Sequence, residues 1–163
     1  MYISQKNFEI LYNPRVAVPD FQVYIDRWEK KSIVFKKKQI NNSLIDIKYG
    51  NNSNETLDLF FSSKRKANGL VIFIHGGYWR SLDKSQHSFV AEPFCELGYD
   101  TAVVNYSLCP EVKVEDIVLQ LVNSCIFLYK NSEDLNLSLK DITVLGHSAG
   151  GHLAAMLMCC KWK

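Results

Sequence analysis

The pattern of apolar and polar positions changes near Gly69. From there on, short continuous apolar segments alternate with longer segments in which apolar residues recur every three or four positions. Continuous apolar runs are typical of parallel strands covered on both faces, and the longer period is typical of helices. The pattern therefore predicts strands over residues 70–74, 99–104 and 142–145, and helices over residues 85–97, 114–129 and 149–160.

The chain before Gly69 has a less regular pattern. Residues 21–31 carry apolar side chains at helical spacing, which predicts one amphipathic helix. Residues 44–49 and 57–61 have the composition of strands, and the Gly-Asn-rich segment between them predicts a hairpin turn. The first twenty residues contain two prolines and are expected to be irregular.

Strands that alternate with helices pair in parallel through right-handed crossovers, which place helices on both faces of the sheet. The sequence is therefore expected to form an α/β fold with a mostly parallel sheet. Its 163 residues are enough for one domain, and no linker or internal repeat marks a second. We expect an N-terminal segment with a helix over residues 1–43 and a sheet core over residues 44–163.

Composition and charge exclude several other classes of protein. Nineteen basic and seventeen acidic residues leave a net charge of +2, too balanced for a dedicated nucleic-acid binder. The charged residues among the first twenty interrupt any signal peptide or membrane span there. The five cysteines show no Cys-x-x-Cys spacing, so we expect buried thiols and neither a disulfide framework nor a metal site. These features favour a cytoplasmic protein.

The sequence Gly-His-Ser-Ala-Gly at positions 146–150 lies between a predicted strand and a predicted helix. In this setting a G-x-S-x-G pattern is typical of a nucleophile elbow, a sharp turn that exposes the serine oxygen at the carboxyl edge of the sheet. Glycines on either side let the strand and the helix approach each other. Ser148 is therefore the candidate nucleophile, and the backbone N–H of Ala149 is a candidate oxyanion donor.

A second motif, His-Gly-Gly-Tyr-Trp at positions 75–79, directly follows the predicted strand 70–74. Hydrolases with a nucleophile elbow place further oxyanion donors in a loop after such a strand. Glycine leaves a backbone N–H accessible to a substrate oxygen, which a side chain would obstruct. The two motifs in this order and spacing predict an α/β-hydrolase fold.

Both motifs resemble those of the kynurenine formamidase, or arylformamidase, branch of the α/β-hydrolases. The matching residues include Arg80 after the first motif and Gly151, His152 and Leu153 after the second. Other matching segments are residues 12–15 (YNPR), 49–50 with 57–60 (YG and LDLF), and 105–112 (NYSLCPEV). The resemblance extends over nearly the whole chain.

This resemblance implies hydrolysis of the N-formyl amide of N-formyl-L-kynurenine to kynurenine and formate, without a metal or an organic cofactor. It implies that Ser148 is the nucleophile and that Gly76, Gly77 and Ala149 are the oxyanion-hole donors. The expected partner is a small formyl-amide or ester substrate, with no nucleic acid and no membrane. A homodimer is an open alternative.

Tyr78 and Trp79 follow the two glycines of the oxyanion loop. The resemblance makes them candidate walls of the pocket for an aromatic substrate group. Packing beside the loop is an equally good interpretation of both side chains.

The expected catalytic triad is incomplete in this sequence. In this fold a carboxylate and a histidine base follow the serine, but after Ser148 the chain has no Asp or Glu and a single histidine. We interpret that residue, His152, as a packed or capping residue of the helix. His75 is expected to shape the oxyanion loop, His147 to lie inside the elbow, and His87 to lie on a surface helix.

The missing base leaves three functional alternatives. The chain is either the N-terminal portion of a formamidase-like hydrolase, a carboxylesterase with the same elbow and loop, or a catalytically incomplete, non-enzymatic remnant. Residues 156–162 are strongly apolar for an exposed terminal helix. That pattern favours truncation, because further strands and helices would cover such a surface.

Overall fold

The computed structural model describes residues 5–64 and 66–162, in which five strands form one mixed sheet with helices on both faces. Two 3-10 turns, Lys84–Gln86 and Ser88–Val90, precede the fourth helix. The helices are α1 (Gln5–Tyr12), α2 (Pro14–Ala17), α3 (Phe21–Lys38), α4 (Ala91–Leu97), α5 (Val114–Lys130) and α6 (Ala149–Met158). The strands are β1 (Ser43–Lys48), β2 (Thr56–Phe60), β3 (Leu70–Ile74), β4 (Asp100–Val104) and β5 (Ile142–Gly146).

The strand order across the sheet is β1-β2-β4-β3-β5. β3 pairs in parallel with β4 on one side and β5 on the other, as the continuous apolar runs predict. The predicted hairpin is also present, because β1 pairs antiparallel with β2, which in turn pairs antiparallel with β4. All residues of β3 and β4 are buried, whereas every residue of β5 is at least partly exposed. β5 is therefore an edge strand within the described part of the chain.

Helices cover both faces of the sheet, which confirms the predicted α/β architecture. On one face, Ile72 of β3 belongs to a core cluster with Leu121 of α5 and Leu153 of α6. On the other face, Phe73 belongs to a cluster with Phe35 of α3, together with Cys95 and Ala91 of α4. The side chains of adjacent residues of β3 point to opposite faces of the sheet because side chains alternate along a strand.

The N-terminal segment was expected to be irregular, and this prediction is wrong for the residues that the structure describes, since α1 and α2 are helical. Pro14 occupies the first turn of α2, where the missing backbone N–H costs nothing. The Asn13 side chain caps the same helix by accepting a hydrogen bond from the Arg15 backbone N–H at 3.0 Å. Pro14, which was expected to interrupt regular structure, therefore starts a helix.

The helix predicted over residues 85–97 is only partly present. α4 begins at Ala91, and residues 84–90 form the two 3-10 turns. These turns carry His87 into the interior, where it is 2% exposed. The expectation that His87 lies on a surface helix is therefore wrong.

A buried charge cluster joins β2 to the first of these turns. Asp58 of β2 is fully buried, and its carboxylate accepts a hydrogen bond from the Lys84 ammonium. Its second oxygen lies 2.9 Å from the Nζ atom of Lys36 on α3. Lys84 also contacts the Asp46 carboxylate, which is 71% exposed. Burial alone would lower the pKa of Lys84, but its hydrogen bonds to Asp46 and Asp58 hold it above its ordinary value.

The cysteines differ more in exposure than expected. Cys95 is buried, and burial raises the pKa of its thiol to about 11, which makes it unreactive at neutral pH. Cys159 is exposed, contrary to expectation, because it lies just beyond α6. All five cysteines are free, and the described residues contain no group of three or more His, Cys, Asp or Glu side chains placed to hold a metal ion.

No helix in the described ranges is long and apolar enough to cross a membrane.

Candidate active site

Ser148 lies in a sharp turn between β5 and α6. Its backbone angles are φ 54° and ψ −119°, a conformation that a residue with a side chain rarely adopts. Such a conformation costs about 1–3 kcal/mol and persists only where the surrounding structure enforces it. The preceding residue is held by a hydrogen bond from the His147 N–H to the Ile74 carbonyl at 3.2 Å. The side chain of Ser148 is exposed at the carboxyl edge of the sheet, the geometry of a nucleophile elbow.

Close packing of α6 against the end of β3 enforces this turn. A Cβ atom on Gly150 would lie 2.6 Å from the His75 carbonyl oxygen and would overlap the Ile74 carbonyl. A Cβ on the neighbouring Gly151 would meet nothing closer than the Gly146 carbonyl oxygen at 3.4 Å. The helix can approach the strand this closely only because residue 150 has no side chain.

The loop after β3 lies directly against the elbow. A Cβ on Gly76 would lie 3.2 Å from the Ser148 Cβ, so the two motifs meet as the sequence predicts. Gly77 has φ +117°, a conformation that favours glycine. Among the described residues, the backbone N–H groups of Gly76, Gly77 and Ala149 donate no hydrogen bond. They are therefore available to a substrate oxygen.

His75 anchors this loop from behind. Its ring stacks on Tyr106 at 4.2 Å with 6° between the planes. Its Nδ1 lies 2.7 Å from the Gly76 carbonyl oxygen and its Nε2 lies 3.1 Å from Asn105 Oδ1. Burial lowers the pKa of His75, and the neutral ring that this favours near pH 7 donates its single N–H to one of these two oxygens. Because both ring nitrogens face this buried loop support, His75 is placed to hold the loop and not to deprotonate Ser148.

Asn105 and Asp83 complete this support, although the motifs predict a functional role for neither of them. The Asn105 side chain donates to the Asp83 carboxylate at 2.9 Å and accepts from the Lys84 backbone N–H at 3.3 Å. Asn105 directly follows β4, at the sheet edge where functional residues of parallel sheets gather. That position is the signal that could have identified it.

His87 packs in the interior beside the rings of His75 and Trp28. Its ring centroid lies 5.6 Å from that of His75 and 5.5 Å from that of Trp28. Its Nδ1 lies 3.0 Å from the Asp83 carbonyl oxygen, and its Nε2 is buried without a hydrogen-bond partner among the described residues. Burial lowers the pKa of His87 to about 4. His87 is therefore neutral at physiological pH.

We expect acid to destabilise the protein through His87. Its pKa rises from about 4 in the folded state to about 6.5 in the unfolded state, so between these values the unfolded chain binds more protons. Above pH 6.5 the folded protein pays nothing for keeping His87 neutral. As the pH drops below 6.5, the free energy of unfolding falls, and His87 contributes up to about 1.4 kcal/mol per pH unit to this fall. Urea unfolding at several pH values in this range measures how the free energy of unfolding changes with pH, and this change should be smaller for His87→Gln than for the wild type. The matched variant His152→Gln, at an exposed histidine, should show the same pH dependence as the wild type. An equal pH dependence in all three proteins would contradict the role of His87.

No general base reaches Ser148 within the described ranges. The Ser148 Oγ atom makes no side-chain hydrogen bond to any described residue. His152 packs edge-on against Trp79, with ring centroids 5.3 Å apart, and His147 packs edge-on against Trp28 at 5.8 Å. The structure therefore brings together the candidate nucleophile and the candidate oxyanion donors, but no histidine with a carboxylate behind it.

The two aromatic residues after Gly77 have different surroundings. Tyr78 is 49% exposed and lines an open cleft of about 880 Å³ between the oxyanion loop and the N-terminal helices. Trp79 packs on the core under α6, and its carbonyl accepts a hydrogen bond from the Cys109 N–H at 2.8 Å. The lining residues of the cleft are Phe8, Tyr12, Asn13, Pro14, Arg15, Gly77, Tyr78, Arg80 and Ser81.

The mixed sheet, the elbow and the adjoining glycine loop define the class of this protein as an α/β-hydrolase. The family model described as BD-FAE matches residues 57–162, and the chain belongs to this family of α/β-hydrolases.

Comparisons with known proteins agree with this classification. The chain is 32% identical to kynurenine formamidase from Danio rerio over 167 residues, which cover 98% of this chain and 55% of the relative. It is 30% identical to kynurenine formamidase from Drosophila melanogaster over a stretch that covers 89% of this chain and 47% of that relative. A solved structure described as a candidate thioesterase, from Silicibacter sp., matches with a TM-score of 0.80 at 29% identity, covering 90% of this chain and 53% of that chain.

These relatives confirm the resemblance to kynurenine formamidases that the motifs indicate. The chain spans about half the length of the curated relatives it matches.

Proposed function

We propose that this chain carries the nucleophile and the oxyanion hole of a formamidase-type serine hydrolase whose substrate is N-formyl-L-kynurenine. The observation that carries the proposal is the contact between the Ser148 turn and Gly76 of the oxyanion loop. The formamidase relatives, which match 89–98% of this chain, support the choice of substrate.

In the proposed reaction, Ser148 Oγ attacks the carbon of the formyl group. The carbonyl oxygen becomes an oxyanion, which the N–H groups of Gly76 and Gly77 in the loop after β3 and of Ala149 at the start of α6 stabilise. Collapse of this intermediate breaks the C–N bond and releases the aryl amine, and water then releases formate from the serine ester. Each preorganised donor of this kind typically contributes about 10²–10³ in rate.

Proton transfer is the step for which the described residues offer no group. An enzyme of this type needs a base to take the serine proton and to return it to the leaving amine. We therefore expect the 163-residue chain to turn over roughly 10⁴–10⁶-fold more slowly than an enzyme with a complete triad. The Ser148 Oγ atom, which has no hydrogen-bond partner among residues 5–64 and 66–162, also favours a second candidate, a non-enzymatic protein that keeps the elbow geometry.

A fluorophosphonate probe tests the state of Ser148. We expect weak and slow labelling of the 163-residue chain, because the residues that the structure describes offer Ser148 no base, and no labelling of Ser148→Ala. Intact-protein mass spectrometry measures the labelled fraction over time, and His152→Gln serves as a control that should label like wild type. Rapid stoichiometric labelling of the wild type would show that a base is present.

The substrate class is tested separately by kinetics. Hydrolysis of N-formyl-L-kynurenine is compared with hydrolysis of a short-chain nitrophenyl ester, each corrected for the rate of Ser148→Ala. We expect a higher kcat/KM for the formamide. A clear preference for the ester would replace the formamidase by a carboxylesterase, and the absence of serine-dependent turnover on both substrates would favour the non-enzymatic candidate.

A further inference from the structure

The cleft beside the oxyanion loop combines aromatic walls with two arginines. Phe8 and Tyr12 of α1 stack on each other with ring centroids 5.8 Å apart, and Tyr78 lines the cleft from the oxyanion loop. Arg15 and Arg80 line it as well. Flat aromatic walls with guanidinium groups suit a planar ligand that carries an anion.

Neither arginine is neutralised by a carboxylate of the described chain. The ion pairs among the described residues involve Lys36, Lys38 and Lys84 and no arginine. Arg15 is nevertheless held in place, since it donates to Ser81 Oγ at 3.0 Å and its guanidinium lies 4.9 Å from the centroid of the Phe21 ring. A positioned guanidinium without a counterion is suited to bind a carboxylate through two parallel hydrogen bonds.

The cleft adjoins the candidate active site. Gly77 lines it, and the adjacent Gly76 lies against the Ser148 turn. A ligand with its reacting carbonyl at the oxyanion loop can therefore extend directly into the cleft. The elbow residues do not line the cleft, which separates the binding of a distal group from the chemistry at Ser148.

We propose that this cleft binds the free carboxylate of an aryl-amide substrate through Arg15 and Arg80, with the aryl group against Tyr12 and Tyr78. Its use as a substrate subsite rests on the proposed hydrolase function, but the binding itself does not require Ser148. The cleft thus selects aromatic amides that carry a carboxylate over neutral aryl formamides and simple esters. Arg15 and Arg80 are the residues that determine this specificity.

Binding of two matched ligands tests the proposal without turnover. L-kynurenine carries an aryl amine and a carboxylate, and kynuramine lacks only the carboxylate. We expect the 163-residue Ser148→Ala chain to bind L-kynurenine roughly tenfold more tightly in calorimetry, the usual size of a charge-assisted contact. In that background Arg80→Met should weaken L-kynurenine binding roughly tenfold and leave kynuramine binding unchanged. Arg15→Lys, which keeps the charge but loses the planar fork, should weaken it by less.

Arg27→Met is the matched control, because Arg27 is an exposed arginine of α3 that does not line the cleft. It removes the same charge and should leave both affinities unchanged. Thermal melting establishes that each variant is folded. Equal binding of the two ligands, no binding of either, or an equal loss in Arg27→Met would overturn the proposal. Arginine-dependent binding without formamide hydrolysis would uphold the carboxylate site and refute the formamidase function.

Discussion

Replacement of Asp58 by asparagine should lower the free energy of unfolding by about 3–5 kcal/mol. Asp58 is fully buried, and its carboxylate binds the Lys84 ammonium, which is itself 5% exposed. Asparagine has nearly the same shape, so the variant creates no cavity. It leaves the Lys84 charge in the interior with only an exposed carboxylate as counterion, which is the costly situation for a buried charge.

Asp46→Asn is the matched control, since Asp46 binds the same ammonium from the exposed side. This variant should cost less than about 1 kcal/mol, because water replaces an exposed partner easily. Asparagine also tolerates the φ of 57° at this position. Urea unfolding of both variants measures the two losses. Equal losses would mean that Asp58 is not the main counterion of Lys84.

Gly150→Ala should destabilise the protein by about 3 kcal/mol and distort the Ser148 turn. The added Cβ would overlap the Ile74 carbonyl and lie 2.6 Å from the His75 carbonyl oxygen, so α6 must move away from β3. Neither obstacle is a flexible side chain that could rotate aside. We expect a lower melting temperature, and a displaced elbow should also abolish the residual fluorophosphonate labelling.

Gly151→Ala is the control for this change, and its effect should have the opposite sign. Its Cβ would meet only the Gly146 carbonyl oxygen at an ordinary distance of 3.4 Å. Alanine favours a helix over glycine by about 1 kcal/mol, so this variant should be slightly more stable than wild type. If both alanines had the same effect, close packing of α6 would not be what constrains the turn.

The elbow was predictable because its chemistry is local. Five residues around Ser148, placed between a strand and a helix, determine where the candidate nucleophile lies. The parallel part of the sheet was equally accessible, since β3 is an unbroken apolar run that needs cover on both faces. These features depend on short stretches of sequence, where spacing and residue type carry most of the information.

The features that the sequence did not reveal depend on contacts between distant segments. His87 looked like a residue of a surface helix, but the turns before α4 direct it toward His75 and Trp28. Lys36 lies with Lys37 and Lys38 in the basic last turn of α3, and yet its ammonium reaches the buried Asp58. Tertiary partners decide the environment of such polar residues, and these partners are not visible in local periodicity.

The position of β5 at the edge of the sheet also has a dynamic consequence. Ser148 follows a strand in which every residue is at least partly exposed, whereas the loop of Gly76 follows the fully buried β3. Proteins open locally where strands bury little surface, at a lower free energy than global unfolding requires. The two halves of the candidate site thus belong to regions of unequal local stability. Separation of the candidate nucleophile from the candidate oxyanion donors should therefore precede the loss of the core, and a protein that is still folded by most probes can already have lost this arrangement.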